Sequence, residues 1–279
     1  MIRELGALTW RELLRLGRNP QAIVTSLLLP ILYLLLFGQA FNLGALFTSQ
    51  PGGQAFLLAF LRGAPTYFSY FSAGMAGFVA VTATLFIGAN VIFDRLFGSL
   101  KRTASSPATA TSIFGSRLLA GSIQPIGLAF LVIGFAILLG RLGLAGLQVT
   151  APIGVVGAGE IVLAVVILSA MFASLFLAIG FSIEQPQTYF AVVNAINLPV
   201  LLTSAALYPW GTMPAWFRTI ASFNPITLAV NVLRENMFTG ATGYYPYDPY
   251  VYLLGLLGWA VAMFLIATLL AARALAPKR

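Results

Sequence analysis

The 279-residue chain contains neither cysteine nor histidine. That excludes thiol catalysis, disulfides, Cys/His zinc sites and any Ser-His or Cys-His nucleophile. The acids are Glu4, Glu12, Asp94, Glu160, Glu184, Glu235 and Asp248, and no two form an obvious intramembrane acid pair. No Gly-x-x-x-x-Gly-Lys-Ser/Thr loop is present, so the chain offers no P-loop for ATP. An enzyme is not expected, and neither a metal site nor a bound cofactor is read. What remains is the chemistry of binding and force. Glu160, Asn194 and Asn197 stand inside apolar stretches. Ionisable and amide groups at membrane depth are pathway candidates by default. Two plainer roles compete: Glu160 lies within two turns of an expected span end, and the asparagines suit interhelical hydrogen bonds.

The elements that must position these groups follow from composition. The chain is 59% hydrophobic and 8% charged, the make-up of a polytopic membrane protein. The expected fold is all-α, one transmembrane domain over 1–279. Six spans are read at about 21–41, 67–92, 118–139, 153–181, 190–207 and 251–272. Pro30 lies inside the first, where neighbouring helices can re-satisfy the freed carbonyl. The second is rich in Gly and Ala, which lets another helix approach closely. The net charge of +8 calls for no nucleic acid, because basic excess in a membrane protein usually marks cytoplasmic loops.

Residues 1–19 read as an amphipathic helix lying in the membrane interface. Glu4, Arg11, Arg15 and Arg18 fall on one side, and Ile2, Leu5, Trp10, Leu13 and Leu16 spread over the other. The segment does not suit a signal peptide's short basic start, so it is expected to stay on the chain. Both termini and the 93–117 and 182–189 connections fall on one side of a six-span layout. That side holds eleven Lys and Arg, against Arg62, Arg141, Arg218 and Arg234 on the other. Both termini are therefore expected in the cytoplasm.

Residues 93–117, FDRLFGSLKRTASSPATATSIFGSR, form the polar centre of the first half. A solvated basic loop explains Asp94, Arg95, Lys101, Arg102 and Arg117. It does not explain Leu96, Phe97, Leu100, Ile113 and Phe114. A short helix with an apolar face, interrupted by Gly98 and Pro107, predicts docking on a partner.

Residues 212–240 lie between the last two spans. Thr212 to Pro214 and Asn224-Pro225 each read as a helix start, and Gly240 as a stop. A helix over 225–239 is about 22 Å long, short of a roughly 30 Å hydrocarbon core. It mixes Ile226, Leu228, Val230, Leu233 and Phe238 with Asn231, Arg234, Glu235 and Asn236. The pair either dips into the membrane and returns, packed on protein, or lies on the surface. Tyr244, Tyr245, Tyr247, Tyr250 and Tyr252 follow as an aromatic belt.

Several strings, in this order, resemble the membrane subunit of type-2 ABC exporters, especially daunorubicin-resistance-type permeases. They are Arg15-Leu-Gly-Arg18-Asn19-Pro20, with Pro30 and Phe37-Gly38 after it; Asp94-Arg95-Leu96-Phe97-Gly98-Ser99-Leu100; Pro107 with Gly115-Ser116-Arg117; and Met213-Pro214-Ala215-Trp216 followed by Phe223-Asn224-Pro225-Ile226-Thr227 and Val232-Leu233-Arg234. Two positions depart from the family pattern. Leu96 replaces a second acidic residue, and Ala110-Thr111 stand where an arginine is common.

The resemblance implies one half of a permease dimer in the inner (plasma) membrane, working on a separate ATP-binding cassette subunit that holds the ATP and Mg. It makes Asp94, Arg95, Phe97, Gly98, Ser99, Leu100 and Pro107 the coupling segment, with Trp10, Arg11, Arg15 and Arg18 completing the docking surface. Asn224, Pro225 and Arg234 would shape re-entrant helices on the outer side, and membrane lipid would surround the chain. A hydrophobic drug, lipid or lipid-linked glycan would leave between the halves. The alternative is a secondary transporter or channel without an ATPase. It should place ionisable groups or broken helices at the midplane.

Overall fold

A computed structural model describes residues 2–18, 20–40, 51–98, 110–241 and 247–275. These form α1 (Ile2–Gly17), α2 (Pro20–Ala40), α3 (Gly53–Phe60), α4 (Tyr67–Leu96), α5 (Ala110–Arg141), α6 (Val155–Ser182), α7 (Pro186–Leu202), α8 (Ala215–Phe223), α9 (Pro225–Met237) and α10 (Pro249–Leu275), with a 3-10 turn at Trp210–Thr212. No strand occurs among the described residues. Among the described residues four helices are long and apolar enough to cross a membrane: Tyr67–Leu96, Ser112–Arg141, Val155–Ser182 and Pro249–Leu270, with a shorter apolar run at Ile23–Gly38 in α2. The chain is a multi-pass helical membrane protein.

Everything is arranged around α4. Thr66 caps its start, the hydroxyl accepting from the Ser69 N–H at 3.1 Å, and Gly98 follows its end in the left-handed region at φ 71°. Thirty residues pass between these stops without a proline. Burial is nearly continuous from Phe68 to Thr84. Helix α6 crosses α4 where two glycines meet. A Cβ at Gly88 would strike the Phe176 carbonyl, and one at Gly180 the Gly88 backbone. Close approach through small residues is how helices associate where lipid is as apolar as a side chain. By contrast, α2 and α10 keep wide exposed apolar faces, including Val24, Leu28 and Leu36 on one and Leu254, Leu265 and Leu269 on the other. That is the condition of a helix facing lipid.

Four sequence expectations are corrected. The span expected over 190–207 ends as a helix at Leu202, and its last part is a non-helical turn. The helix expected to begin at 118 begins at Ala110, so much of the expected 93–117 loop is helix. The helix expected to run to 239 stops at Met237, with Phe238 extended after it. Within the tyrosine belt, Tyr247 and Tyr250 are exposed, but Tyr252 is turned inward. Tyr244 and Tyr245 lie outside the described residues.

The glycine crossing predicts an asymmetry between two single-methyl additions. Gly88→Ala pushes Cβ into backbone, a strain of about 1–3 kcal/mol, and should lower the melting temperature in detergent measurably. Gly127→Ala, with nothing within 4 Å of the added methyl, should leave it unchanged or slightly higher. Equal melting of the two variants would contradict the crossing.

Candidate functional site

At the end where α4 stops, charges tie four elements into a joint. Asp94, 5% exposed, accepts through Oδ2 from Arg15 Nη1 of α1 at 2.9 Å and from Arg117 Nη2 of α5 at 2.6 Å. Arg117 is itself buried, and charge-assisted bonds of this length are strong. Glu12 of α1 is buried alongside, 3.0 Å from Arg11 Nη2 and 3.9 Å from Arg15 Nη1. Arg95 reaches the end of α6, donating from Nη2 to the Phe181 carbonyl at 2.9 Å and from Nη1 to that of Ile183 at 3.1 Å. A guanidinium on the last carbonyls of a helix also meets the negative end of its dipole.

Beyond this joint α4 presents an apolar tip. Leu96 is 60% exposed and Phe97 77% exposed, with Phe97 stacked on Phe93 at 6.5 Å between ring centroids. Trp10 on α1 is also exposed, at 63%. The segment singled out by sequence thus divides. Asp94 and Arg95 turn inward onto the chain's own helices, Phe97 turns outward, and Gly98 supplies the left-handed stop. Ser99, Leu100 and Pro107 lie outside the described residues. Of the helix residues, Arg11 and Arg18 are exposed and Arg15 is spent on Asp94.

At the opposite end of α4 the turn after α7 is held by donors from α4 and α9. Arg234 is fully buried. Its Nη1 donates to the Ala205 carbonyl at 2.8 Å, and its Nη2 to those of Tyr70 at 2.9 Å and Ala206 at 3.2 Å. Its guanidinium carbon sits 3.4 Å from the Tyr70 ring centroid, a cation–π stack. The Tyr70 hydroxyl donates to the carbonyls of Ala205 at 2.9 Å and Tyr208 at 2.8 Å, and Tyr67 to that of Leu207 at 3.2 Å. The Ala205 N–H in turn donates to the Thr227 hydroxyl of α9 at 2.9 Å. A Cβ at Gly74 would meet the Ala206 carbonyl, so α4 keeps a glycine beneath the turn.

Asn224 performs the capping its position predicts and more. Its Oδ1 accepts from the Ile226 N–H at 2.9 Å, while its Nδ2 donates to the Val200 carbonyl at 2.7 Å and the Thr203 hydroxyl at 3.1 Å. Pro225 occupies the first helical position, where no N–H is required. Of the pathway candidates, Glu160 accepts from Asn236 Nδ2 at 2.9 Å, a contact between α6 and α9. Asn194 is exposed on α7, whereas Asn197 is buried with its Oδ1 unpartnered among the described residues. Sequence reasoning missed Glu12, Tyr70 and Thr227. For Glu12 a signal existed, since it sits i, i−3 from Arg15. For Tyr70 and Thr227 none did, because their partners are the carbonyl and the N–H of Ala205, 135 and 22 residues away.

The family model described as "ABC-2 type transporter" matches residues 3–238. Among curated relatives, a protein of Porphyra purpurea carrying the name transport permease ycf38 is 28% identical over 236 residues, covering 84% of this chain and 74% of the relative. The ycf38 protein of Cyanophora paradoxa is 30% identical over 235 residues, with 84% and 73% covered. The daunorubicin resistance ABC transporter permease protein DrrB1 of Streptomyces coeruleorubidus is 23% identical over 236 residues, with 85% and 75% covered.

Two predictions follow from the geometry at the two ends of α4. Asp94→Asn strips the charge that pairs a buried Arg117, a loss of about 3–5 kcal/mol. It should lower the melting temperature and speed trypsin cleavage within α1, and Asp94→Asn/Arg117→Met should recover part of the stability. Wild-type melting and cleavage would exclude the joint. At the other end, Arg234→Met removes bonds from a buried cation, worth about 1.5–3 kcal/mol each, and should be severely destabilising. Glu235→Gln replaces a buried carboxylate whose oxygens have no hydrogen-bond partner among the described residues, and its melting should stay close to wild type.

Proposed function

The chain belongs to the ABC-2 type transporter family as a membrane permease, and we propose that it is the membrane-spanning half of an ATP-driven exporter. In this reading α2, α4, α5, α6, α7 and α10 are six spans with both termini in the cytoplasm. The charge count supports that orientation, because the joint at the end of α4 then lies on the basic side. Helix α1 lies in the cytoplasmic interface, and α8 with α9 forms the re-entrant pair on the outer side. The burial of α9 on all sides supports dipping rather than lying on the surface. The plasma (inner) membrane is the proposed location, with two copies forming the permease.

The observation that carries the reading is the exposed Leu96–Phe97 tip at the end of the most buried of the four membrane-length helices, locked by charge to α1, α5 and α6. A partner that seats on this tip moves four elements together. A separate subunit that binds ATP and Mg is the proposed partner, docked on the segment from Phe97 through Gly98, Ser99, Leu100 and Pro107, with Trp10, Arg11 and Arg18 at its rim. Asp94, Arg95 and Arg15 then act by transmitting displacement rather than by touching the partner. ATP-driven closure of two such subunits would rock the halves and open a path between them, with rigid-body movement replacing any covalent chemistry in this chain. Asn194, on the exposed face of α7, is the amide best placed to face that path. The proposed cargo is a hydrophobic or amphipathic molecule, namely a drug, a lipid or a lipid-linked glycan, as the DrrB1 name and the apolar spans support.

The test is purification of the tagged chain from its native membrane in mild detergent. A P-loop ATPase should co-purify and hydrolyse ATP. Phe97→Glu should cut its recovery at least about ten-fold, about 1.4 kcal/mol, with unchanged melting of the permease. Recovery of the chain as an oligomer without an ATPase would overturn the reading.

A further inference from the structure

The last turn of α9, at the end of the bundle away from the Asp94 joint, is tied down by hydrogen bonds. The Met237 carbonyl accepts from the Thr150 N–H at 3.0 Å and the Ala151 N–H at 3.1 Å. Thr239, just past the helix, donates from its N–H to the Thr150 hydroxyl at 2.9 Å and from its own hydroxyl to the Thr150 carbonyl at 2.6 Å. Asn236 donates from Nδ2 to Glu160 of α6 at 2.9 Å. Gly157 of α6 makes room for it, since a Cβ there would strike the Asn236 amide. These bonds form a latch between α9, α6 and the connection before α6.

Glu235 lies in the same turn with nothing to hold a charge. It is 7% exposed, and neither carboxyl oxygen has a hydrogen-bond partner among the described residues. An ionised carboxylate buried without a partner is far costlier than the neutral acid. Its surroundings add to that cost. Asp248 faces it from the residue before α10 and Glu160 from α6, with Tyr252 of α10 within reach of its charge. The cations of the neighbouring elements are engaged elsewhere. Arg234, the adjacent residue, is turned onto the carbonyls of Tyr70, Ala205 and Ala206 and the Tyr70 ring of α4. Arg218 of α8 donates to the Met213 carbonyl at 2.8 Å, and Arg62 lies over the Trp210 ring. Burial first, then Asp248 and Glu160, push the Glu235 carboxyl above the usual carboxylate range.

We propose that Glu235 is a proton-binding site and that its proton locks the latch. Neutral, the side chain stays buried while α9 lies against α6. Ionised, it places a third negative charge beside Glu160 and Asp248, and water reaches it only when the last turn of α9 lifts from α6. The closed latch keeps a proton that the lifted, hydrated one gives up, so raising the pH favours lifting. The window opens near the ordinary carboxyl value, about 4, and ends where the buried acid itself ionises; above that the loosening is complete and constant. Within the window the lifted population grows about ten-fold per pH unit. The lock belongs to one chain and stands whether or not an ATPase partner is found.

The test uses the full chain in lipid nanodiscs and two readouts. Infrared difference spectroscopy reads the C=O stretch of a protonated carboxyl. A band that survives to about pH 6, above the ordinary carboxyl range, should be present in wild type and missing in Glu235→Gln. Asp248→Asn, at an exposed position, removes one like charge and should move the loss of the band to lower pH. Hydrogen exchange reads the latch. The amides of Ala151 and Thr239 should exchange at nearly the same rate in wild type and Glu235→Gln at about pH 4, and at least about ten-fold faster in wild type at about pH 8. Comparing the two at one pH cancels the intrinsic pH dependence of exchange. Amides of 74–84 in α4 should not differ. Thr239→Val loosens the latch from its other side, so by reciprocity Glu235 should ionise at lower pH. A spectrum with no Glu235-dependent acid band at about pH 6 would overturn the proton site. A band that is present while the latch amides stay indifferent to Glu235→Gln at every pH would overturn the lock.

Discussion

The fold rests on how the turn after α7 satisfies its backbone. A chain that stops being helical among apolar surroundings exposes carbonyls that water cannot reach, at several kcal/mol each. Here the carbonyls of Ala205, Ala206, Leu207 and Tyr208 take their donors from Tyr67 and Tyr70 of α4 and Arg234 of α9. One guanidinium with fixed fork geometry serves three carbonyls at once. The arrangement dictates its surroundings: a glycine at position 74 to admit the turn, an aromatic ring to face the cation, and an α9 buried at every position but Asn236 to carry it. It is also why α7 is short, since Asn224 and Thr203 cap its last carbonyls just before the turn.

The other end of α4 uses charge differently. A carboxylate held by two arginines from separate helices joins elements rather than plugging a break. Such a joint resists separation because the alternative, an unpaired buried ion, is costly. In the proposed reading the arginine-pinned end stays rigid and the Asp94 joint passes movement from the exposed Phe97 tip to α1, α5 and α6. Helix α4 contributes to both anchors, Asp94 and Arg95 at one end and Tyr67 and Tyr70 at the other.

Much of the helix order was legible in the sequence, because long apolar runs and proline-linked caps act locally. Asn224-Pro225 starts its helix where the residues require, the span read at 67–92 is helical along its length, and that read at 153–181 is helical from Val155 on. What escaped was set by tertiary partners. Leu202 ends α7 although the expected span continues to Leu207, and distant side chains supply the bonds that helix would otherwise make. Asp94 reads as a loop charge, yet it lies on a helix that runs on to Leu96, and Arg117 is brought to it by α5. Arg234 counts as an outer-side positive charge by rule and is instead fully buried. Nothing in the sequence says which face of α10 meets α9.

The most direct measurement is hydrogen exchange, read by mass spectrometry, on the chain in lipid nanodiscs over residues 203–209 and 225–237. If the turn is pinned by Arg234 and the tyrosines beneath a dipping helix pair, amides there should exchange on the timescale of α4, hours rather than seconds. Exchange as fast as that of a surface connection would contradict both the pinned turn and the depth of α9.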